Sequence, residues 1–302
     1  MFPIINKQLL ATDVKRLDIE APDIVKRIQP GQFVLVCPEE GDERIPLTVV
    51  DCDKIKRTIA LIIHEVGDTT KKLGAFSLRE SIYSILGPLG MPARIEKKGT
   101  VVCVATGIGT AQMLPIARAF RQAGNKVIGI MGAKTKRDVM LEAQMRLACH
   151  RIFMTTNDGS YERRGLATDF LKTMLTQQQS PQFLHGLQEL EKVDLVYAIG
   201  SVDMMRAVCH LTKDKNIPTL VQVNPIMVDC MGMCGSCRVK VSGHMVLACL
   251  DGPEFNGHQV DFDDLEIRMK VSKEWDNPES KPSLPRDESK TLAKFLSGIL
   301  RK

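Results

Sequence analysis

An α/β plus β architecture is what this 302-residue sequence predicts: an N-terminal antiparallel β-barrel, a parallel-sheet nucleotide-binding domain and a small C-terminal domain built on cysteines. Three observations carry the expectation. Short β-rich runs crowd the first third of the chain. Strand and helix patterns then alternate. Finally, four of the nine cysteines fall between Cys230 and Cys249. The expected boundaries are 1–95, 96–222 and 223–265, with a polar tail over 266–302.

Within the first segment, Phe33-Val34-Leu35-Val36, Leu47-Thr48-Val49-Val50 and Thr58-Ile59-Ala60-Leu61-Ile62-Ile63 are β-rich runs bounded by Gly, Pro and Asp. Their close spacing suits a small antiparallel barrel or sandwich. A further run over 81–86 ends in Gly87-Pro88-Leu89-Gly90, which reads as a closing turn. The pattern changes at Gly99-Thr100-Val101-Val102-Cys103-Val104-Ala105, a run of the fully buried type. It leads through Thr106-Gly107-Ile108-Gly109-Thr110 into helical spacing over 113–123. Strands follow at 126–131, 151–155 and 195–199, with helices between, and Pro218-Thr219-Leu220-Val221-Gln222-Val223 reads as the last. Such alternation means a parallel sheet with its ligand site at the carboxyl ends of the strands. The tail is rich in Lys, Glu, Pro and Ser, and 292–300 has helical spacing with one apolar face.

Composition narrows the function. The hydrophobic fraction of 44% and charged fraction of 25% are ordinary for a globular protein. Net charge is +5, but with three Tyr and one Trp the chain lacks a base-stacking surface, which argues against nucleic-acid binding. The excess lysine suits solvated surface with a mild attraction for anionic cofactors. No apolar run approaches a membrane span, and residues 1–10 lack the apolar core of a secretory signal. Scattered Cys37, Cys52, Cys103, Cys149 and Cys209 fit a reducing cytoplasm.

The densest chemistry is Asp229-Cys230-Met231-Gly232-Met233-Cys234-Gly235-Ser236-Cys237, followed by Cys249. Plant-type 2Fe-2S sites use C-x4-C-x2-C with a distant fourth cysteine. Cys234 and Cys237 fit the middle pair, and Cys249 is the distant one. Counting back x4 from Cys234 reaches Asp229, so either Asp229 supplies an oxygen ligand or Cys230 binds with x3 spacing. Zinc would be expected to show two C-x2-C knuckles, and only one is present. Gly232, Gly235 and Ser236 are small enough to wrap inorganic sulfide closely.

Other motifs are weaker alone. Gly107 and Gly109 sit where a strand becomes a helix, as in phosphate-binding turns, but a plain tight turn has the same spacing. A second glycine turn, Ile199-Gly200-Ser201, strengthens the ligand reading. Arg44-Ile45-Pro46-Leu47-Thr48 could hold a flavin phosphate and ring edge, or be an exposed strand end. His64-Glu65-Val66-Gly67-Asp68-Thr69-Thr70 offers hydroxyls and a glycine to a second phosphate, or forms an ordinary turn. Thr155-Thr156-Asn157-Asp158-Gly159-Ser160 is a polar loop at the expected cofactor edge or a capping turn. Lys134, Lys136 and Arg137 stand where a 2′-phosphate would bind, or are a solvated basic loop.

The order barrel, nucleotide domain and cysteine segment resembles the ferredoxin-NADP reductase superfamily over residues 1 to about 265. Arg44-Ile45-Pro46-Leu47-Thr48, Thr106-Gly107-Ile108-Gly109-Thr110-Ala111-Gln112-Met113-Leu114-Pro115, Met131-Gly132-Ala133-Lys134-Thr135-Lys136, Asn157-Asp158-Gly159-Ser160-Tyr161 and the cysteine pattern carry the resemblance. Within the superfamily the chain resembles the electron-transfer subunits of dihydroorotate dehydrogenase. It is still more similar to the small subunits of NADH-dependent reduced ferredoxin:NADP oxidoreductase, or sulfide dehydrogenase. Two departures bear on this. Arg44 stands four residues before Thr48 instead of in an R-x-Y-S motif, and Asp229 occupies a slot where the dihydroorotate type carries Cys.

The resemblance implies FAD on the barrel, with Arg44, Pro46, Leu47, Thr48, Ile63, His64, Gly67, Thr69 and Thr70 in contact. It implies NAD(H), with NADP(H) the second choice, near Gly107, Gly109, Thr110, Asp158 and Gly200. It implies a 2Fe-2S cluster on Asp229, Cys234, Cys237 and Cys249. The expected work is hydride exchange with NAD(H) and passage of single electrons to a larger flavin and 4Fe-4S subunit, with ferredoxin reached through that electron-bifurcating complex. No acid-base residue is required. The alternatives are a dihydroorotate dehydrogenase electron-transfer subunit, or an iron-sulfur nucleotide sensor without turnover.

Overall fold

The structure is a computed structural model that describes residues 1–177 and 192–276. The tail helix expected over 292–300 lies outside the described residues. The chain divides into a unit spanning 1–265 and a second spanning 266–302.

The N-terminal strands are β1 (Phe2–Ala11), β2 (Val14–Glu20), β3 (Phe33–Cys37), β4 (Ile45–Asp53), β5 (Thr58–His64), β6 (Ser81–Ile82) and β7 (Ser84–Leu89), with short helices α1 (Pro22–Val25) and α2 (Asp68–Ala75) between them. They form a nearly closed antiparallel barrel in the order β6-β1-β2-β5-β4-β3-β7. Alternation explains the pleat. On β5, Ile59, Leu61 and Ile63 fill the barrel core with Leu17, Val34 and Leu73. Ala60 and Ile62, on the opposite face, join a second core with Val101, Phe120 and Tyr197. The continuous apolar run of this strand therefore reflects burial on both faces.

Two expectations about the barrel change. β1 and β2 have no counterpart in the sequence reading, because β1 buries only Ile4 fully and its alternation is broken by bulges near Ile4 and Leu9. The stretch Gly87-Pro88 is not a closing turn. It lies inside β7, where the pairing steps from Phe33–Leu89 to Leu35–Leu86. Gly87 and Pro88 together face one residue of β3, and a bulge on an edge strand is where proline is tolerated.

The second sheet takes β8 (Thr100–Thr106), β9 (Lys126–Ala133), β10 (Arg151–Thr156), β11 (Arg163–Arg164), β12 (Leu195–Ile199) and β13 (Thr219–Gln222). Helices α3 (Gly109–Gln122), α4 (Glu142–Ala148), α5 (Ala167–Gln177) and α6 (Val202–Lys213) connect them. The strands through β13 run parallel. The C-terminal segment adds a hairpin of β14 (Arg238–Val241) and β15 (His244–Leu247), then β16 (Glu254–Asn256) and α7 (Phe262–Asp276). The sheet order is β11-β10-β9-β8-β12-β13-β16, and β16 is antiparallel to β13. So β13 is not the last strand. The chain leaves the sheet, makes the cysteine loop and hairpin, and returns to the sheet edge.

Candidate cofactor and cluster sites

From β8 the chain moves to β9 and β10 on one side, and later to β12 and β13 on the other. The order reverses between β8 and β12, which opens a crevice at their carboxyl ends. A cavity of about 720 Å³ lies there. Gly107 and Ile108, Gly132 to Lys134, Asn157, and Ser201 with Met204 line it from the nucleotide domain. Thr12 and His64 line it from the barrel.

The three glycines assigned to nucleotide contact do different things. Gly107 has φ +54, and a Cβ there would meet nothing within 4 Å, so it is the glycine that borders open space. A Cβ on Gly109 would lie 2.5 Å from the Ile199 carbonyl oxygen. One on Gly200 would lie 2.2 Å from Thr106 Oγ1 and 2.5 Å from Met204 Cε. Gly109 and Gly200 therefore let the β8 and β12 turns approach each other. Thr110 is buried and its N–H donates to the Gly107 carbonyl at 3.1 Å, so that N–H is committed within the turn. The N–H groups of Ile108 and Gly109 at the start of α3 have no partner among the described residues, as the first turn of a helix leaves them.

Asp158 is turned back into its own loop. Its Oδ1 accepts from the Ser160 hydroxyl at 2.7 Å and the Ser160 N–H at 3.0 Å, which holds its carboxyl below the usual carboxylate range. The neighbouring Asn157 faces the cavity instead. Of the basic trio, Lys134 lines the cavity. Lys136 Nζ sits 5.4 Å from the Tyr161 ring centre.

On the barrel, the pairing of β4 with β5 ends at Val49 and Leu61. Beyond that point Ile45 to Thr48 pair only with β3 and Ile62 to His64 only with β2, so the wall is split there. Ile45 and Leu47 pack on the barrel core, which leaves Pro46 and Thr48 on the outer face by alternation. Leu47 and Ile63 turn their side chains inward. Any cofactor contact from these two would therefore go through backbone. Arg44 is exposed and engages no described residue in a hydrogen bond or ion pair.

Arg44 and the 67–70 turn are distant in sequence, and Lys72 brings their loops together. Its Nζ reaches Glu39 at 2.5 Å and Asp42 at 2.8 Å, while the Thr69 hydroxyl donates to Glu43 at 3.2 Å. The Thr70 hydroxyl closes the turn, donating to the Gly67 carbonyl at 2.9 Å and accepting from the Gly67 N–H at 3.0 Å.

The cysteine segment is brought together by its hairpin. Ser242 and Gly243 both have positive φ, the conformation that a two-residue turn between antiparallel strands requires. Pairing of Arg238 with Leu247 and an Ala248 N–H to Cys237 carbonyl bond of 3.0 Å set Cys237 beside Cys249. Cys230, Cys237 and Cys249 are buried and Cys234 is exposed. Burial first, then the neighbouring Cys237, pushes the Cys230 thiol up to about 12. Burial and a hydrogen bond with Cys237 push Cys249 up to about 12. Hydrogen bonds from Ser236 lower Cys234.

Adjacent buried sulfurs that resist ionisation alone are a donor set that a cation among them would compensate, because metal binding deprotonates thiols. The donors therefore fit an iron-sulfur group. Among the described residues, no three His, Cys, Asp or Glu side chains converge closely enough to hold a single metal ion. Asp229 accepts N–H bonds from Cys234 at 2.7 Å, Met233 at 2.9 Å and Met231 at 3.0 Å, so its carboxylate shapes the loop.

The sequence reading missed Thr12, because it missed β1 and β2. Asn157, within the motif over 155–160 from which Asp158 is expected to act, is the residue of the two that lines the cavity.

Barrel, switch-point crevice and cysteine loop together define a flavin- and nucleotide-binding fold of the ferredoxin-NADP reductase type that carries an iron-sulfur domain. Residues 224–261 match the family described as the iron-sulfur cluster binding domain of dihydroorotate dehydrogenase B. A Thermotoga maritima protein described as a dihydroorotate dehydrogenase B (NAD(+)) electron transfer subunit homolog is 36% identical over 271 residues, covering 90% of this chain and 91% of its own. An uncharacterised protein of Clostridium beijerinckii, from the adh 3′ region, is 38% identical and covers 96% of each chain. The solved NADH-dependent reduced ferredoxin-NADP oxidoreductase, described in work on flavin-based electron bifurcation, matches with 34% identity, a TM-score of 0.81 and 98% of both chains covered. The chain belongs to the family of dihydroorotate dehydrogenase B-type electron-transfer subunits. Among the described residues no helix is long and apolar enough to cross a membrane.

Proposed function

We propose that this chain is the NAD(H)-facing half of a flavin-based electron-bifurcating NADH-dependent ferredoxin:NADP oxidoreductase. It exchanges hydride with NAD(H) and hands single electrons to a larger flavin and 4Fe-4S partner, through which ferredoxin is reached. The observation that carries this reading is the end-to-end similarity to the solved oxidoreductase, with 98% of both chains covered. Asp229 in the first ligand slot adds support.

In this reading FAD lies along the β4–β5 split. Arg44 and the 67–70 turn meet its pyrophosphate with charge and N–H groups. Pro46, Thr48, His64 and the backbones of Leu47 and Ile63 border its ring. Gly107, with the unpartnered N–H groups of Ile108 and Gly109, receives the dinucleotide phosphates. Gly200, Thr110 and Asp158 hold the surrounding turns. When bound, a flavin supplies the conversion between hydride and one-electron chemistry, so the chain's own residues need only bind, orient and exclude water. Asp229, Cys234, Cys237 and Cys249 hold a 2Fe-2S cluster. A second reading gives the fourth place to Cys230, on the observation that it is buried beside Cys237.

Exposed apolar side chains on this segment, Val228, Met231, Met233 and Leu250, suit a partner surface. A reducing cytoplasmic setting goes with free thiol ligands. Isolation of the native complex tests the proposal: a co-purifying flavin and 4Fe-4S subunit that takes NADPH is the expected outcome. A dihydroorotate-oxidising partner would assign the chain to the other branch. A partnerless protein without a flavin spectrum or NADH oxidation would leave only an iron-sulfur nucleotide sensor.

A further inference from the structure

Glu254 is a carboxylate that the reading above does not use. Its side chain is 6% exposed. Leaving a charge in such a place is expensive unless every oxygen is engaged, and here the engagement crosses three parts of the molecule. From the nucleotide sheet, the fully buried Tyr197 donates its hydroxyl to Oε2 at 2.9 Å. From the linker between barrel and sheet, the Arg94 N–H donates to the two oxygens at 3.2 and 3.3 Å. The Arg94 guanidinium stands 4.0 Å away. Glu254 itself belongs to the strand that returns from the cysteine loop.

The backbone around it follows the same line. The Met91 N–H donates to the Gly252 carbonyl at 2.6 Å and the Val223 N–H to Pro253 at 3.0 Å. On its other side the linker is tied to the barrel. The Ala93 N–H donates to the Pro30 carbonyl at 2.8 Å, and Gln32 Nε2 to the Gly90 carbonyl at 2.7 Å. Gln222, across the ladder from Glu254, donates to the Gly31 carbonyl at 3.3 Å. Little slack remains in this joint. A Cβ on Gly90 would lie 2.7 Å from the Phe33 ring and 3.1 Å from Pro253, and one on Gly31 would lie 2.9 Å from the Ala93 backbone.

We propose that Glu254 is a positioning residue: it locks the cysteine segment onto the barrel–sheet linker, so that the cluster loop keeps one distance from the flavin side of the barrel. The functional part of this rests on the reading above, in which electrons pass between those two places. The structural part does not. Without the carboxylate, Tyr197 would keep a buried hydroxyl with no acceptor and the Arg94 N–H would lose its partner. The segment would then be held by the short β13–β16 ladder, the Gly252 and Pro253 carbonyls, and the bonds of Asn224, His258 and Phe262 to α3 and α6.

The experiment uses the full-length protein and three variants, Glu254→Ala, Glu254→Gln and Tyr197→Phe. Hydrogen exchange is followed at amides 229–237. Stopped-flow spectroscopy separates flavin reduction by NADH from the slower appearance of the reduced-cluster spectrum. Glu254→Ala is expected to speed exchange at least tenfold and to slow cluster reduction at least tenfold. NADH KM and flavin reduction stay within twofold. Glu254→Gln, which keeps the shape and an acceptor oxygen, restores most of both. Tyr197→Phe removes one donor, keeps the ring packing, and shifts both readouts in the direction of Glu254→Ala.

Loop exchange and cluster reduction that match wild type in Glu254→Ala would overturn the proposal. So would equal slowing of flavin and cluster reduction. If Glu254→Ala does not fold, Tyr197→Phe decides, and wild-type behaviour in both of its readouts overturns the proposal. A wild-type protein without flavin or cluster signals would sink the functional reading, while the exchange data would still decide whether Glu254 is the joint.

Discussion

Gly109 separates two explanations of the glycine-rich turn. In Gly109→Ala the new methyl would lie 2.5 Å from the Ile199 carbonyl oxygen and 2.9 Å from its carbon. Both are backbone atoms at the end of a buried strand, so neither can swing away as a side-chain tip would. Overpacking of this kind costs about 1–3 kcal/mol. Alanine's higher helix propensity returns at most about 1 kcal/mol, and less here because the residue opens the helix. The net loss is about 1–2 kcal/mol. At roughly 2–4 °C per kcal/mol for larger domains, Tm falls by about 2–8 °C.

Gly107→Asn is the matched comparison. Asparagine tolerates the left-handed backbone better than other residues, and a Cβ there meets nothing within 4 Å. Its Tm should stay within about 2 °C of wild type, a loss of less than about 1 kcal/mol. Its side chain would, however, project into the cavity and raise the Kd for NADH. Differential scanning calorimetry and NADH titration give both numbers. A Gly109→Ala protein with unchanged Tm would refute the close-approach argument, and Gly107→Asn with unchanged NADH affinity would refute the assignment of Gly107 to the nucleotide.

Further outcomes follow from the same geometry. Arg44→Ala should lose charge-assisted bonds worth about 1.5–3 kcal/mol to a flavin pyrophosphate, seen as lower FAD occupancy after gel filtration; full occupancy, or FMN in its place, would count against the barrel site. Asp229→Ala should lose or alter the 2Fe-2S electron paramagnetic resonance signal while Cys230→Ser keeps it, and the reverse pattern hands the fourth place to Cys230. Burial raises the Glu254 carboxyl above its ordinary 4.5, so its favourable contribution is full below that pH and is lost as pH rises through the elevated value. The Tm of Glu254→Gln relative to wild type should therefore climb from pH 4.5 towards neutrality, and a pH-independent difference would contradict this sign. NADH should outperform NADPH in reduction of an artificial acceptor, and a clear NADPH advantage would transfer Lys134 to 2′-phosphate binding.

Local pattern was enough for some of this molecule. β3, β5, β8, β9 and β12 are legible in the sequence because each is a short apolar run closed by Gly, Pro or Asp, and burial on both faces leaves no other use for such a run. The cysteine cluster is legible because four of the nine cysteines are confined to the 20 residues from Cys230 to Cys249, which one loop and one hairpin keep close together. The switch-point turn is legible because a glycine at Gly107 follows a buried strand.

Everything that depends on partners distant in sequence needed the fold. β1 is stabilised by pairing and its pleat is broken by bulges, and β2 is a short strand with charged residues between Leu17 and Ile19 and before them, so neither carries much period of its own. Gly107 and Gly109 look equivalent in sequence, yet one borders the cavity and the other fits beneath Ile199, a difference that only the crossing of two turns creates. Asp158 and Asn157 divide their tasks by hydrogen bonding, since the carboxylate is satisfied by Ser160 and the amide is left to the cavity. Glu254 looks like a surface acid until β16 returns to the sheet and sets its oxygens against Tyr197 and Arg94. Sequence determines which chemistry a segment can offer. Which atoms remain available, and what they face, is decided when hydrogen-bond partners and packing neighbours far apart in the chain are brought together.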